Sequence, residues 1–143
     1  PITRLSCCTL GLLGFGRIPQ QVCIRAKAFG MKVIAHDPFV PDDAPVWKEY
    51  GVPPVALDAM LAEADAISLH VPLNDRTRNL FNAERIAAMK PGAFLINTAR
   101  GGIVDETALA EALRSGGPGG AMLDVLAAEP LPGAYPSHRG RYA

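Results

Sequence analysis

The sequence predicts an α/β fold of the Rossmann type, which is a doubly wound parallel sheet with helices on both faces. Short apolar runs of strand length alternate with segments of helical periodicity along most of the chain. Such alternation requires right-handed crossover connections, and these place helices on both faces of the sheet. Ligands of doubly wound sheets bind beyond the carboxyl ends of the strands. We therefore expect functional residues in the segments that follow predicted strands, at 14–19, 36–38, 70–73, 97–100 and 124–129.

The apolar runs, and the capping residues, glycines and prolines that bound them, predict each strand and helix. Strands are expected at 10–13, 32–36, 66–70, 93–97 and 120–125, and helices at 17–29, 57–64, 83–89 and 106–115, with a shorter helix near 47–50. Asn82 and Asp105 precede two of these helices and are expected to be their N-caps. Gly30 and Gly116 follow helix ends, where a left-handed backbone conformation favours glycine.

Composition limits the function classes. The chain has 143 residues, close to the length of one domain, and its 14 basic residues balance its 14 acidic ones. A neutral chain lacks the broad basic face of most nucleic-acid binders, so we expect no direct nucleic-acid partner. The hydrophobic fraction of 49% is enough for a core, yet no apolar run approaches the length of a membrane span. We therefore expect a globular domain without a membrane partner.

The cysteines and the N-terminus carry weaker information. Cys7, Cys8 and Cys23 form no metal-binding or disulfide spacing, so we expect small buried apolar side chains and no metal site. The N-terminus lacks the basic and apolar regions of a secretory signal, so a cytoplasmic location is the default expectation. The chain starts at Pro1 without a Met, which suggests a processed product or a piece of a longer protein.

A glycine-rich segment follows the first predicted strand and reads Gly14-Phe15-Gly16-Arg17-Ile18-Pro19. Gly14 permits the tight turn, and Gly16 lets the backbone approach a diphosphate. The amides of Arg17 and Ile18, at the start of the next helix, are then expected to donate to phosphate oxygens. Strand, glycine loop and helix in this order predict a dinucleotide site.

Asp37 and Pro19 refine that prediction. Asp37 follows the second strand, where its carboxylate can accept hydrogen bonds from ribose hydroxyls and would repel a 2′-phosphate, so NAD is favoured over NADP. Pro19 replaces the third glycine of the motif, restricts Ile18 away from the α region and fills space that glycine would leave. We expect weakened NAD affinity. The alternative is a glycine-rich turn with Asp37 as a solvated loop acid.

Together these segments resemble the D-isomer-specific 2-hydroxyacid dehydrogenase family, whose relatives include phosphoglycerate dehydrogenase. The matching stretches are LGLLGFGRI at 10–18, AFGMKVIAHDP at 28–38, SLHVPL at 68–73, KPGAFLINTARGGIVDE at 90–106 and GAMLDVLAAEPLP at 120–132. The resemblance implies an NAD-binding Rossmann domain over residues 1–132, with the family's substrate domain absent. Residues 133–143 are expected to form an irregular tail.

The resemblance also implies hydride exchange between nicotinamide and a D-2-hydroxy acid, with Arg100 and Glu129 as catalytic residues. Arg100 would hold a carboxylate or polarise a keto oxygen, and Glu129 would raise the pKa of an acid/base histidine. That histidine has no convincing match, because His138 lies too close to Glu129 and is followed by Arg139-Gly140. We therefore expect little turnover from this chain alone.

Several further residues are expected to line the cofactor. By the resemblance, Asp124 would hold the nicotinamide carboxamide and His70 would form a cofactor wall rather than act as a base. Residues near these strand ends complete the predicted cofactor set, which adds Pro72, Thr98, Ala99 and Arg100. His36 is expected to be a strand-end residue without chemistry. Family members pair through this domain, so a homodimer is expected.

Alternatives remain at this stage. Thr77, with Arg76 and Arg78, could close over the diphosphate or belong to a solvated charged loop. The run from Arg25 to Gly30 resembles the C-terminal-binding-protein co-repressors, which suggests an NAD-binding interaction module without turnover. A third possibility is an inactive fragment that folds and binds nothing tightly. Thermal stabilisation by NAD, with or without NADH oxidation, separates the three.

Overall fold

The computed structural model describes residues 4–128, and these residues form one parallel five-stranded sheet flanked by helices. The strands are Thr9–Leu13 (β1), Lys32–His36 (β2), Ala66–Leu69 (β3), Phe94–Asn97 (β4) and Gly120–Leu123 (β5). The helices are Arg17–Ala28 (α1), Pro45–Tyr50 (α2), Leu57–Glu63 (α3), Ala83–Ala87 (α4) and Glu106–Arg114 (α5), after a 3₁₀ turn at Leu5–Cys7. The predicted fold class is confirmed, and element ends differ from the predictions by a few residues.

The strand order places a topological switch point between β1 and β3. The sheet runs β2-β1-β3-β4-β5 with every neighbouring pair parallel. Beside β2, at the edge of the sheet, Pro54 forms a one-residue parallel bridge with Ala35. There the Val55 amide donates to the Ala35 carbonyl at 2.8 Å. The chain thus winds outward from β1 in one direction and then returns to wind in the other, as in dinucleotide-binding sheets.

Apolar residues on both faces of the strands build two cores. On one face, Leu69 and Leu95 are buried together with Met60 and Leu61 of α3, which were predicted to point inward. On the other face a second cluster surrounds Leu12 and includes residues of α1 and α2. Central strands of a parallel sheet are covered on both sides, which explains their unbroken apolar runs.

The predicted N-caps at Asn82 and Asp105 are confirmed by their hydrogen bonds, while the helix ends lie one or two residues earlier than predicted. The Asn82 side chain accepts from the Arg85 amide at 3.0 Å, and the Asp105 side chain accepts from the Ala108 amide at 3.0 Å. Gly30 has a φ of +79° just after α1, a conformation that costs other residues strain. Local capping chemistry therefore fixes where these helices start and stop.

Pro19 does not expel Ile18 from the helix, so that expectation was wrong. Both residues lie in the first turn of α1, which begins after Gly16. The first hydrogen bond there runs from the Gln20 amide to the Gly16 carbonyl at 3.1 Å, one residue beyond the proline. Since first-turn amides have no intrahelical acceptor, Pro19 removes no helix bond, and the steric bias on Ile18 is overcome by helix formation.

The Arg25–Gly30 run has a structural explanation. The Lys27 ammonium donates to the carbonyls of Tyr50 and, at 2.7 Å, Gly51. This contact fastens the end of α1 to the end of α2, where helix carbonyls lack intrahelical partners. Within this run, Lys27 therefore docks α1 on α2 and Gly30 follows the helix end. The resemblance of the run to the co-repressors stays untested.

The three cysteines occupy different environments. Cys23 lies on the buried face of α1, and burial raises the pKa of its thiol. Cys8 is half-buried, and Cys7 is exposed because it lies in the 3₁₀ turn ahead of the sheet. The expectation of buried apolar cysteines therefore holds for Cys23 and is wrong for Cys7. Between residues 4 and 128 no group of three or more His, Cys, Asp or Glu could hold a metal ion.

Every helix found between residues 4 and 128 is too short or too polar to cross a bilayer.

Candidate functional site

Two adjoining cavities form one cleft along the carboxyl ends of the strands. The larger has a volume of about 510 Å³ and the smaller about 450 Å³. Gly16, His70, Val71 and Pro72 line both cavities, so the cleft is continuous across the switch point between β1 and β3. This is where a doubly wound sheet binds its ligand.

The two glycines of the loop have the backbone geometry that the motif requires, and their contact with a cofactor stays a prediction. Gly14 has a φ of +91°, and a Cβ atom there would lie 2.8 Å from the His70 carbonyl oxygen. Its amide donates to the His36 carbonyl at 2.8 Å, which anchors the loop on β2. A Cβ at Gly16 would meet no atom within 4 Å, so this side of the loop is open to an approaching ligand.

Phe15, between the two glycines, was not predicted to matter. Its ring is buried and stacks on Trp47, with ring centroids 4.8 Å apart, and the Tyr50 ring meets it edge-on at 5.7 Å. Two rings of α2 therefore support the loop from the side opposite the cleft. An aromatic residue between glycines was the available signal, but its partners lie far along the chain.

Asp37 lies half-buried beside the loop and lines the larger cavity. Its Oδ2 accepts from the Phe15 amide at 2.8 Å, and its Oδ1 accepts from the Phe39 amide at 3.0 Å. The carboxylate is thus held at the cavity wall instead of turning out into solvent. Its predicted contact with a ribose stays a prediction.

Two histidines line the cleft with fixed ring orientations. The His36 Nδ1 lies 2.9 Å from the Val55 carbonyl oxygen and donates to it. The His70 Nε2 lies 2.9 Å from the hydroxyl of the buried Ser68. Burial lowers the pKa of His70, which keeps its ring neutral at pH 7. The lowered pKa makes the ring a weaker base, and its contact with Ser68 holds it against the cleft. Its predicted role as a cofactor wall stays a prediction.

The smaller cavity joins the start of α1 to the turn that carries Arg100. Arg17, Ile18 and Pro19 line one side, and Thr98, Ala99 and Arg100 line the other. Arg100 is exposed, and its Nη1 donates to the Ala99 carbonyl at 2.6 Å. The structure therefore brings the predicted phosphate-binding amides and the predicted catalytic arginine to a single cavity.

Asn97 shapes that turn and was missed as a site residue. It is 1% exposed, its Oδ1 accepts from the Ala99 amide at 3.1 Å, and its Nδ2 donates to the Arg100 carbonyl at 2.9 Å. The Asp124 amide donates to the Asn97 main-chain carbonyl at 3.0 Å, which joins the ends of β4 and β5. A buried amide side chain following a strand was the signal for this role.

Of the remaining predicted residues, some line the larger cavity and others do not. Asp124 is exposed at the end of β5 and lies outside the lining of both cavities. Arg76 and Thr77 line the larger cavity, and the Thr77 hydroxyl donates to the Pro72 carbonyl at 2.6 Å, which closes the loop on itself. Glu129 and His138 lie outside the described residues.

Comparison with known proteins agrees with this geometry. Residues 1–139 match the family model described as the D-isomer specific 2-hydroxyacid dehydrogenase, NAD binding domain. The chain is 56% identical over 123 residues to an (S)-sulfolactate dehydrogenase of Chromohalobacter salexigens, covering 86% of this chain and 40% of that protein. A hydroxypyruvate reductase of Thermotoga maritima is 54% identical over 123 residues, covering 85% and 38%. The chain thus spans about 40% of the length of these curated relatives.

A solved structure with the same fold carries the predicted cofactor. The D-lactate dehydrogenase of Aquifex aeolicus, complexed with NAD and lactic acid, superposes with a TM-score of 0.80 at 45% identity. That match covers 87% of this chain and 36% of the other.

Proposed function

Because the chain belongs to the D-isomer-specific 2-hydroxyacid dehydrogenase family and matches its NAD-binding domain, we propose that it is the cofactor-binding part of an oxidoreductase. This enzyme acts on the CH–OH group of a D-2-hydroxy acid. The supporting observation is the shared cavity. The start of α1, which suits a diphosphate, and Arg100, which suits a carboxylate, line the same cavity.

The residues present fit NAD. Gly16 leaves the loop open, and the amides of Arg17 and Ile18 lie in the first turn of a twelve-residue helix, where they have no intrahelical acceptor. Asp37 brings a negative charge to the larger cavity, which suits ribose hydroxyls and disfavours a 2′-phosphate. Nicotinamide, when bound, supplies or accepts the hydride.

Arg100 is proposed to hold the substrate. Its guanidinium forms no ion pair within residues 4–128, so its planar fork is available for a carboxylate or a keto oxygen. The tethered ring of His70 excludes water from the cleft without exchanging a proton. Proton transfer is assigned to a histidine assisted by Glu129, as the family resemblance implies.

The substrate, assembly and location of the whole protein are proposed from its family membership. We assign it a 2-hydroxy or 2-keto acid substrate, a homodimeric assembly and a cytoplasmic location. Because the relatives are much longer, turnover by this chain alone is expected to be low. NAD binding is therefore the property to measure first.

Calorimetric titration with NAD and NADP tests the cofactor assignment. Gly16→Val is the informative variant, because Gly16 has an ordinary φ of −75° and open space around it. The valine should leave the melting temperature nearly unchanged and lower NAD affinity at least about tenfold by blocking the approach of the phosphates. Equal NAD affinity in both proteins, or tighter NADP than NAD binding by the wild type, would refute the assignment.

Oxidation of NADH with a panel of 2-keto acids tests the enzyme assignment. Arg100→Ala should abolish any turnover, and Arg100→Lys should restore little because a lysine lacks the bidentate fork. Stabilisation by NAD without turnover under any substrate favours the interaction-module alternative. No thermal shift at millimolar NAD favours the inactive fragment.

A further inference from the structure

We propose that Asp37 is also a positioning residue for the phosphate-binding loop, independently of any contact with a ribose. This inference rests on the proposed function, since it concerns how the same cleft receives a diphosphate. It assigns the carboxylate a role in binding ligands that contain no adenosine at all.

The two oxygens of Asp37 join two separate segments. Oδ2 accepts from the Phe15 amide at 2.8 Å, within the glycine loop after β1, and Oδ1 accepts from the Phe39 amide at 3.0 Å, in the loop after β2. The preceding loop amide, that of Gly14, is bonded to the His36 carbonyl. The amide groups of two successive loop residues are therefore fixed on the end of β2.

This anchoring sets the direction of the groups that follow. The Phe15 ring is held on its other side by Trp47 and Tyr50, so the residue is fixed through both its ring and its amide. Gly16 comes next, has an exposed backbone and is the N-cap of α1. Only Gly16 separates Phe15 from α1 along the chain, and the Gln20 side chain of α1 donates to the Phe15 carbonyl at 3.0 Å. Movement of Phe15 would therefore displace the first-turn residues Arg17 and Ile18, which line the smaller cavity.

A carboxylate is suited to this task in a way that an amide is not. An aspartate accepts at both oxygens, whereas an asparagine accepts at one atom and donates at the other. Asp37→Asn would therefore set an NH₂ group against either the Phe15 or the Phe39 amide. An oxygen turned to Phe15 sets the NH₂ group against the Phe39 amide, and an oxygen turned to Phe39 sets it against the Phe15 amide. Either orientation breaks one of the two bonds that hold this side chain and loosens the loop anchor, while the side-chain size is unchanged.

The direction in which anion affinity changes in Asp37→Asn distinguishes the loop anchor from a purely electrostatic effect of the Asp37 charge. Removing a negative charge beside an anion site strengthens anion binding if the charge acts only through space. Loss of the loop anchor instead weakens it, because the phosphate-facing amides are no longer held in place. Inorganic pyrophosphate has no ribose, so the direction in which its affinity changes tells the loop anchor from the charge without any ribose contact.

The test is a titration of the wild type, Asp37→Asn and Asp43→Asn with inorganic pyrophosphate, AMP and NAD. Asp43 is exposed in the loop after β2, so its variant matches the charge change. In Asp37→Asn we expect pyrophosphate affinity to fall about threefold, because ordering the loosened loop on binding then costs part of the free energy of the lost hydrogen bond, with little change in Asp43→Asn. Unchanged or tighter pyrophosphate binding by Asp37→Asn overturns the proposal.

Amide hydrogen exchange at Phe15 gives a readout that needs no ligand. Exchange should be slow in the wild type and faster in Asp37→Asn, and equal rates in both proteins overturn the proposal. If Asp37→Asn fails to fold, Asp37→Glu takes its place, since it keeps the charge and shifts the oxygens by one methylene. If the wild type binds neither NAD nor pyrophosphate, the proposed function fails, and the exchange rates still decide the anchor.

Discussion

Replacement of Asn97 by alanine should destabilise the domain, because one buried side chain holds the turn that presents Arg100. Alanine removes the acceptor for the Ala99 amide and the donor for the Arg100 carbonyl, bonds of 3.1 and 2.9 Å. Both partners stay in place when the side chain is shortened. The substitution therefore leaves two main-chain groups without their protein partners.

The magnitude follows from the exposure of those groups. A buried group left without a partner costs about 1–3 kcal/mol. Ala99 is half-buried and Arg100 is exposed, so water can replace part of each lost bond and the lower end of that range applies. Two bonds then give a loss of about 2–3 kcal/mol in the free energy of unfolding, or roughly 8–12 °C in melting temperature for a chain of this size.

Urea denaturation of both proteins measures this difference. Asn82→Ala is the matched comparison, because it deletes the same side chain from a surface helix cap that makes one such bond, to Arg85. It should cost about 1 kcal/mol. If Asn97→Ala costs no more than Asn82→Ala, the turn does not depend on the buried amide and our account of it is wrong.

Three further outcomes are expected elsewhere in the chain. Gly101→Ala should lower the free energy of unfolding by about 2–3 kcal/mol in a denaturant titration, because a Cβ there would lie 1.9 Å from the Leu126 carbonyl oxygen. Asp65 has a pKa lowered chiefly by its hydrogen bond from Lys90, so it stabilises the fold above its ordinary pKa, and that stability is lost as pH falls through the lower folded value. Asp65→Asn should thus lower the free energy of unfolding by about 1 kcal/mol at pH 7, a value discounted for the exposure of the pair. The difference in free energy of unfolding between the variant and the wild type should become smaller below about pH 4. Pro19→Gly should raise NAD affinity a few-fold in calorimetry, and equal affinities would show that the proline does not weaken binding.

The fold was predictable from the sequence because its signals are local. Apolar runs bounded by glycine and proline gave the five strands, and side-chain caps such as Asn82 and Asp105 act on amides three residues away. The bridge at Pro54 was missed because a single parallel pair leaves no run of apolar residues. Strand ends were overestimated at β5, which stops at Leu123 where the chain turns into the loop after it.

The site was predictable in its residue types but not in its contacts. Gly14, Gly16 and Asp37 follow strands at the motif's spacing, so the sequence placed them near one another. The bond from the Phe15 amide to Asp37 joins residues 22 positions apart, and the requirement for glycine at position 101 comes from a distant carbonyl. Such requirements arise only when separate loops meet in three dimensions, so no local pattern reveals them.

The departure at Pro19 bears on the cofactor more than on the fold. In the family motif the third glycine allows close packing of the helix on the sheet. Here Cys23 and Ala26, one and two turns further along α1, are the small buried residues of the helix that belong to the core cluster on this face of the sheet. Their size lets α1 approach the strands without a glycine at position 19. The proline ring instead lines the smaller cavity, so its effect falls on the space and the amides available to a diphosphate.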